Sequence, residues 1–277
     1  MSDEDFLWHY TTASGLLGIL PSDPDEKEIS LWASNARYLN DESEFSYYLK
    51  RLSEVAKNKF ENTNSVSSNE FEEVSSALQK MAVEDPPFVV SLSKKEDDLN
   101  QWRAYGSGLN GFCIGFSRKD LRKVLKDSQF RLSKCIYKED DLQKHVERQV
   151  KNLHMVIPTA NHPLAFIKWV FKQLSLAAVM KNPVFDEEDE WRMVSDAPLL
   201  RGSSPNSAIH PRKYREGKSM LIPYVEVKMD RKVVKKIIVG PGPHKELNYQ
   251  SVKRLCKDFM NGTDIKISMS SVPFRMW

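Results

Sequence analysis

A chain of 277 residues with 40% hydrophobic and 29% charged side chains can build a large core, and is too apolar for disorder. Its net charge of +3 does not by itself imply nucleic acid, and no apolar run approaches the ~20 residues of a membrane span. The acidic start, MSDEDFLWHY, lacks a signal-peptide pattern, so a cytoplasmic protein with no membrane partner is expected. Cys113, Cys135 and Cys256 are widely spaced and form no CxxC pair, which argues against a disulfide framework or a cysteine zinc site.

Phe6 to Tyr10 reads as a short strand, followed by a helix capped by Thr11 or Thr12 with Leu16, Leu17 and Leu20 on its apolar face. Ile29 to Trp32 is a second short strand. Phe45, Tyr48, Leu49, Leu52 and Val55 then recur at helical spacing, as do Phe71, Val74, Leu78 and Met81 after the polar connection ENTNSVSSNE. FVVSLS (88–93) and GFCIGF (111–116) read as strands, and Ser117 with Asp120 opens a helix carrying Leu121, Val124 and Leu125. Helices follow over Leu142 to Val156 and Leu164 to Met180, the latter nearly all apolar and expected in the core. Later strands are expected at Glu190–Ser195, Tyr224–Met229, Val233–Val239 and Ile265–Ser271, with a helix presenting Leu247, Val252, Leu255 and Phe259 between the last two.

Strands and helices do not alternate regularly, so the expected fold is a single α+β domain over 1–277, a mixed β-sheet with surrounding helices. There is no internal repeat. Gly106, Gly108 and Gly111 formally fit GxGxxG, but they lead into a strand rather than a helix, so no helix N-terminus waits for a pyrophosphate. His145, His154 and His162 lack metal-ligand spacing, and no metal site is expected from them.

Four segments concentrate polar groups beside aromatic ones at element ends, where side chains can converge on a pocket. The first runs through His9, Tyr10, Thr11 and Thr12. The second contains Trp32, Asn35, Arg37, Tyr38, Asn40, Asp41, Glu42 and Glu44. Ser91, Ser93, Asp98, Gln101, Trp102, Arg103 and Tyr105 make the third, and Glu188, Asp189, Glu190, Trp191 and Arg192 the fourth. A lone strand histidine is more often a hydrogen-bonded structural residue than a catalyst, and carboxylates before a strand usually cap or solvate it.

The stretches LWHYTTASGLLGIL, LWASNARYLNDESEF, VVSLSKKEDDLNQWRAYGSGLNGFCIGF, EDEWRMV, VKKIIVGPGP and SSVPFRMW resemble the DUF2971 family, a bacterial family whose name supplies no activity. The histidine of HYT, followed by GLLGIL and a strand, is similar to the opening of ADP-ribosyltransferase-like folds. That second resemblance implies an NAD-consuming transferase acting on a nucleic acid or protein acceptor, in a toxin or phage-defence setting. Its signature of a first-strand histidine, a mid-domain aromatic or hydroxyl residue and a late glutamate implies His9, Tyr105 (or Ser91 or Ser93) and Glu190 as catalytic residues.

With NAD as substrate, the resemblance implies that Glu190 stabilises an oxocarbenium-like state and that His9 fixes a ribose hydroxyl. Trp102 or Tyr105 would stack on nicotinamide, Arg37 or Arg103 would pair with the pyrophosphate, and Tyr10, Thr11, Ser91 and Ser93 would complete the cofactor site. Asn40, Asp41, Glu44 and Arg192 would orient the pocket or bind the acceptor. Glu190→Gln is expected to spare the fold. Two other readings of the residues stay open. Asp41, Glu44, Glu188 and Glu190 could hold Mg²⁺ in a hydrolase or nuclease. Alternatively Arg212, Lys213, Tyr214, Arg215 and Lys218 could form a nucleic-acid or protein-binding surface without catalysis. The oligomeric state is not legible.

Overall fold

The computed structural model describes residues 5–39, 44–63, 68–106, 111–151, 153, 163–195, 211–217 and 219–273. FLWHYTT forms β1 (Phe6–Thr12), which turns directly into α1 (Ala13–Ile19) because the Thr12 hydroxyl accepts the Gly15 amide at 3.1 Å. A Cβ at Gly15 would press on the Thr11 hydroxyl, which would have to turn away. The helix buries Leu16, Ile19 and the following Leu20, whereas Leu17 is 61% exposed and does not belong to its apolar stripe. So short a helix has one inward row, and that row runs at three- and four-residue steps from Leu16.

The chain continues through β2 (Glu28–Asn35), α2 (Glu44–Thr63), α3 (Ser68–Glu84), β3 (Phe88–Ser93), α4 (Leu99–Tyr105), β4 (Gly111–Ser117), α5 (Arg118–Val124), β5 (Phe130–Lys134), α6 (Glu139–Lys151) and α7 (Pro163–Ala177). It ends with β6 (Glu190–Ser195), β7 (Lys213–Glu216), β8 (Leu221–Asp230), β9 (Val234–Val239), α8 (Lys245–Phe259) and β10 (Lys266–Met269). The fold is α+β, as expected. The elements α4, β5 and β7 had no clear sequence signal: α4 is a seven-residue helix, and β5 and β7 are polar. Leu247, expected on the apolar face of α8, is 67% exposed.

Among the described residues, ten strands make one mixed sheet in the order β10-β9-β4-β1-β3-β2-β8-β7, with β6 on the other edge of β3 and β5 beyond β6. Only the β10–β9 pairing among these ladders is parallel. One face carries the largest apolar cluster, with Leu7, Leu31, Leu92, Ile114, Phe116, Met193 and Ile237 from strands and Leu16, Leu121 and Val252 from α1, α5 and α8. The other face, through Val89 and Val194, packs against α2, α3, α6 and α7. A smaller cluster on that second face joins Trp8, Tyr10, Cys113 and Ile238 to Trp102 of α4. Period-two alternation along β1 accounts for this division: Leu7 faces one layer, Trp8 and Tyr10 the other. No described helix is long and apolar enough to cross a membrane.

Candidate functional site

The strands β1 and β2 share one edge of β3 without lying side by side. Trp8 of β1 pairs with Ser93, while Ser34 and Asn35 of β2 pair with Val89 and Phe88. Between these pairings, Val90–Leu92 is in register with β6 alone. The sheet is therefore split on this side of β3, and the Ser91 carbonyl would lack a strand partner there. The ring of His9 supplies one, with Nδ1 3.0 Å from the Ser91 oxygen.

That contact fixes the chemistry of the imidazole. A carbonyl only accepts, so Nδ1 carries the proton. Burial pushes the His9 pKa below its ordinary value, against the raising effect of the Ser91 bond, and the nearby Arg215 charge lowers it further. At neutral pH the ring is neutral, with Nε2 an unprotonated acceptor.

Arg215 belongs to β7, four strands from β1 in the sheet order. Its Nη2 donates to the Ser34 hydroxyl at 3.0 Å, so the side chain reaches back across β8 to β2. The guanidinium is half-buried, and its Nε is enclosed with no hydrogen-bond partner. Burial lowers its pKa. The same face of β2 and β8 carries Trp32 and Tyr224, whose rings lie 5.0 Å apart, and Gly18 of α1 comes close enough to Trp32 that a Cβ would lie 2.7 Å from the ring.

A second polar group lies across β3. Glu190 pairs with Ser93, which pairs with Trp8, so β6, β3 and β1 are consecutive strands there. Arg192 donates to both Glu190 oxygens, from Nε at 2.8 Å and from Nη2 at 2.9 Å, and caps the Ala178 carbonyl through Nη1 at 2.7 Å. Lys181 donates to Glu190 at 2.8 Å and also pairs with Glu188. Burial alone would raise the Glu190 pKa, but Arg192 and Lys181 outweigh it and hold the carboxyl at about 2. Two carboxylates and two cations thus compensate each other in a largely buried setting. Tyr105 stands beside them: burial first, then Glu188 and Glu190, raises its hydroxyl to about 12.

Register sets the side chains of Glu190, Ser93 and Trp8 on one face of the sheet and that of His9 on the other, facing Ile114. The structure thus gathers Tyr105, Glu188, Glu190 and Arg192 into one group beyond β3, and anchors His9 on the Ser91 carbonyl at the split. The Arg215–Ser34 pair lies near enough for its charge to act on His9, but Ser34, opposite Val89, is on the Glu190 face of the sheet.

Several expected contributors are committed elsewhere. Trp102 is 2% exposed, its Nε1 donates to Asp97 at 2.8 Å and its ring meets Tyr10 edge-on, so its ring is a core contact. The Tyr10 hydroxyl donates to the Lys95 carbonyl and accepts the Asp98 amide. Ser93 donates to the Glu188 carbonyl and accepts the Lys95 amide. Thr11 is half-buried beside Gly15, while Arg37 and Arg103 are exposed. Asn40 and Asp41 lie outside the described residues, as does the side chain of Glu44. On β7, Lys213 pairs with Glu226 at 2.8 Å, and Lys218 is outside the described residues. Among the described residues, no three His, Cys, Asp or Glu side chains are grouped to hold a metal ion.

Sequence reasoning missed Ser34 and Lys181 and gave Arg215 only a surface role. Lys181 left one signal, a cation directly after the apolar stretch from Leu176 to Met180. Arg215 left none, because its partners are 181 residues away at Ser34 and still farther at His9.

Residues 101–193 match the family model described as a protein of unknown function (DUF2971). This stretch takes in Trp102, Tyr105, Glu190 and Arg192, and leaves His9 and Arg215 outside. No curated protein and no solved structure matches the chain.

Proposed function

We propose, from the premise that the chain is a DUF2971 member over residues 101–193, that it is an NAD-consuming enzyme of the ADP-ribosyltransferase type acting on a nucleic acid or protein acceptor. The observation that carries this reading is the run of three neighbouring strands, β1, β3 and β6, bearing His9, Ser91 and Glu190, with the His9 ring anchored at the split. In the proposed reaction the bond from the ribose C1′ to nicotinamide breaks. Its electron pair stays on the departing pyridine nitrogen, and an acceptor nucleophile bonds to C1′ and loses its proton. The acceptor Nε2 of His9 takes a hydrogen bond from a ribose hydroxyl and so fixes the sugar.

Glu190, for which the resemblance implied the oxocarbenium-stabilising role, is bound by Arg192 and Lys181 on the sheet face away from His9, so the proposed reaction rests on His9 and leaves Glu190 a structural part beside it. It is ionised throughout the neutral range, held at about 2 by the balance of burial against Arg192 and Lys181. The ligand would span the split, where β3 is bonded to neither β1 nor β2.

The test is nicotinamide release from NAD by wild type and His9→Ala, with nucleic-acid and protein acceptors supplied. Loss of ribose placement is expected to lower turnover by about ten- to a hundredfold. Equal rates in the two proteins would remove His9 from the mechanism. The Mg²⁺ alternative finds less support, since Glu188 and Glu190 are already neutralised by Lys181 and Arg192.

A further inference from the structure

We infer that Arg215 and Ser34 form a phosphate-binding subsite at the rim of the split, which holds the diphosphate of the dinucleotide; this rests on the NAD reading and gives it a residue neither the family match nor the signature includes. Three observations converge on Arg215. Its guanidinium is half-buried, yet no carboxylate pairs with it among the described residues. Its Nε is enclosed without an acceptor, while Nη2 is fixed by the Ser34 hydroxyl at 3.0 Å. Its charge lies close enough to lower the pKa of His9, the residue proposed to hold the ribose, and Tyr224 lies beside it as well.

A cation withdrawn from water without a counter-charge is costly, and a bound anion removes that cost. Phosphate suits the geometry: a guanidinium presents a planar fork of donors that match two oxygens of one phosphate, and Ser34 holds that fork in place. Across the acidic group on the other side of β3, Arg192 and Lys181 are satisfied by Glu190 and Glu188. Arg215 has no such carboxylate partner among the described residues. The Trp32 and Tyr224 rings on the same face offer an aromatic wall beside the subsite for a base or pyridine ring. Arg37 and Arg103, the arginines the sequence suggested for this role, are both exposed.

The experiment is calorimetric titration of inorganic pyrophosphate, and separately of phosphate-free adenosine, into wild type, Arg215→Gln, Arg215→Lys and Ser34→Ala. Losing a charge-assisted contact is expected to weaken pyrophosphate binding about ten- to a hundredfold in Arg215→Gln. Arg215→Lys, which keeps the charge and loses the fork, should fall between, and adenosine binding should not change. Without ligand, Arg215→Gln should unfold no earlier than wild type, because an uncompensated charge has been removed; an arginine with a purely structural role would give a clear loss. Pyrophosphate that binds Arg215→Gln as tightly as wild type, or does not bind wild type, overturns the subsite. Arginine-dependent pyrophosphate binding without any nicotinamide release rejects the transferase reading and upholds an anion subsite. Nicotinamide release with the same KM for NAD in wild type and Arg215→Gln rejects the subsite alone.

Discussion

Glu190→Gln tests what the acidic group on β6 does for the fold. The substitution keeps the shape of the side chain but removes the charge that faces Arg192 at 2.8 and 2.9 Å and Lys181 at 2.8 Å. Lys181 keeps Glu188, whereas Arg192, 2% exposed, then faces a neutral amide where the carboxylate charge was. Breaking a buried pair by removing one partner costs about 3–5 kcal/mol. The lowered carboxyl pKa, set by the same contacts, gives a comparable figure. A fall from 4.5 to about 2 is worth about 3 kcal/mol, at about 1.4 kcal/mol per pH unit.

The sign follows from the direction. The folded carboxyl titrates below the unfolded one, so its contribution is complete above pH 4.5 and is lost as pH falls from there to about 2. Urea unfolding of wild type and Glu190→Gln at pH 7, 4.5 and 3 should therefore show a gap of about 3 kcal/mol at pH 7 that narrows with acid. A gap under about 1 kcal/mol at pH 7, or one that does not change with pH, would refute the argument. The sequence-based expectation that this variant spares the fold is thereby replaced: the carboxylate holds β6 to the end of α7 through Arg192 and Ala178.

Other outcomes follow from the same packing. Arg192→Lys loses the paired donors to Glu190 and the cap on Ala178 and should destabilise by about 2 kcal/mol in chemical denaturation. Gly115→Ala would put a Cβ 2.6 Å from the Trp8 ring, and the overpacking should cost about 1–3 kcal/mol, read as a lower unfolding midpoint. Asp97→Ala removes the acceptor shared by Trp102, Ser270 and Ser271, so amide exchange at 270–272 should accelerate. His9 should show its imidazole titration below the ordinary 6.5 by NMR. Since its folded pKa is lowered, its neutral form contributes stability above pH 6.5 that is lost as pH falls below it.

The legible parts of this molecule were those whose signal is local. The short β-rich runs Phe6–Tyr10 and FVVSLS gave β1 and β3, and the three-to-four spacing from Phe45 gave α2. Ser117 capped α5 as read. The polar strands β5 and β7 escaped because they earn their places by pairing with β6 and β8 rather than by apolar alternation. In the site, adjacency of the His9, Ser91 and Glu190 strands matched the expectation of a common sheet, but the faces did not follow from sequence. One residue of register decides which side of a strand a side chain takes, and only the Glu190–Ser93–Trp8 alignment reveals that His9 points the other way. Trp102 illustrates the same limit: an aromatic beside polar residues reads as a stacking surface, yet Asp97 takes its N–H and Gly106, Gly111 and Gly240 close over its ring.

The central claim is that this chain breaks the nicotinamide–ribose bond of NAD. The direct measurement incubates the full chain with NAD and a panel of DNA, RNA and protein acceptors, following free nicotinamide and acceptor mass together. Nicotinamide released in step with one ADP-ribose added per modified acceptor site, and reduced in His9→Ala, is the expected result. Intact NAD and unmodified acceptors after prolonged incubation with folded wild-type protein would contradict it.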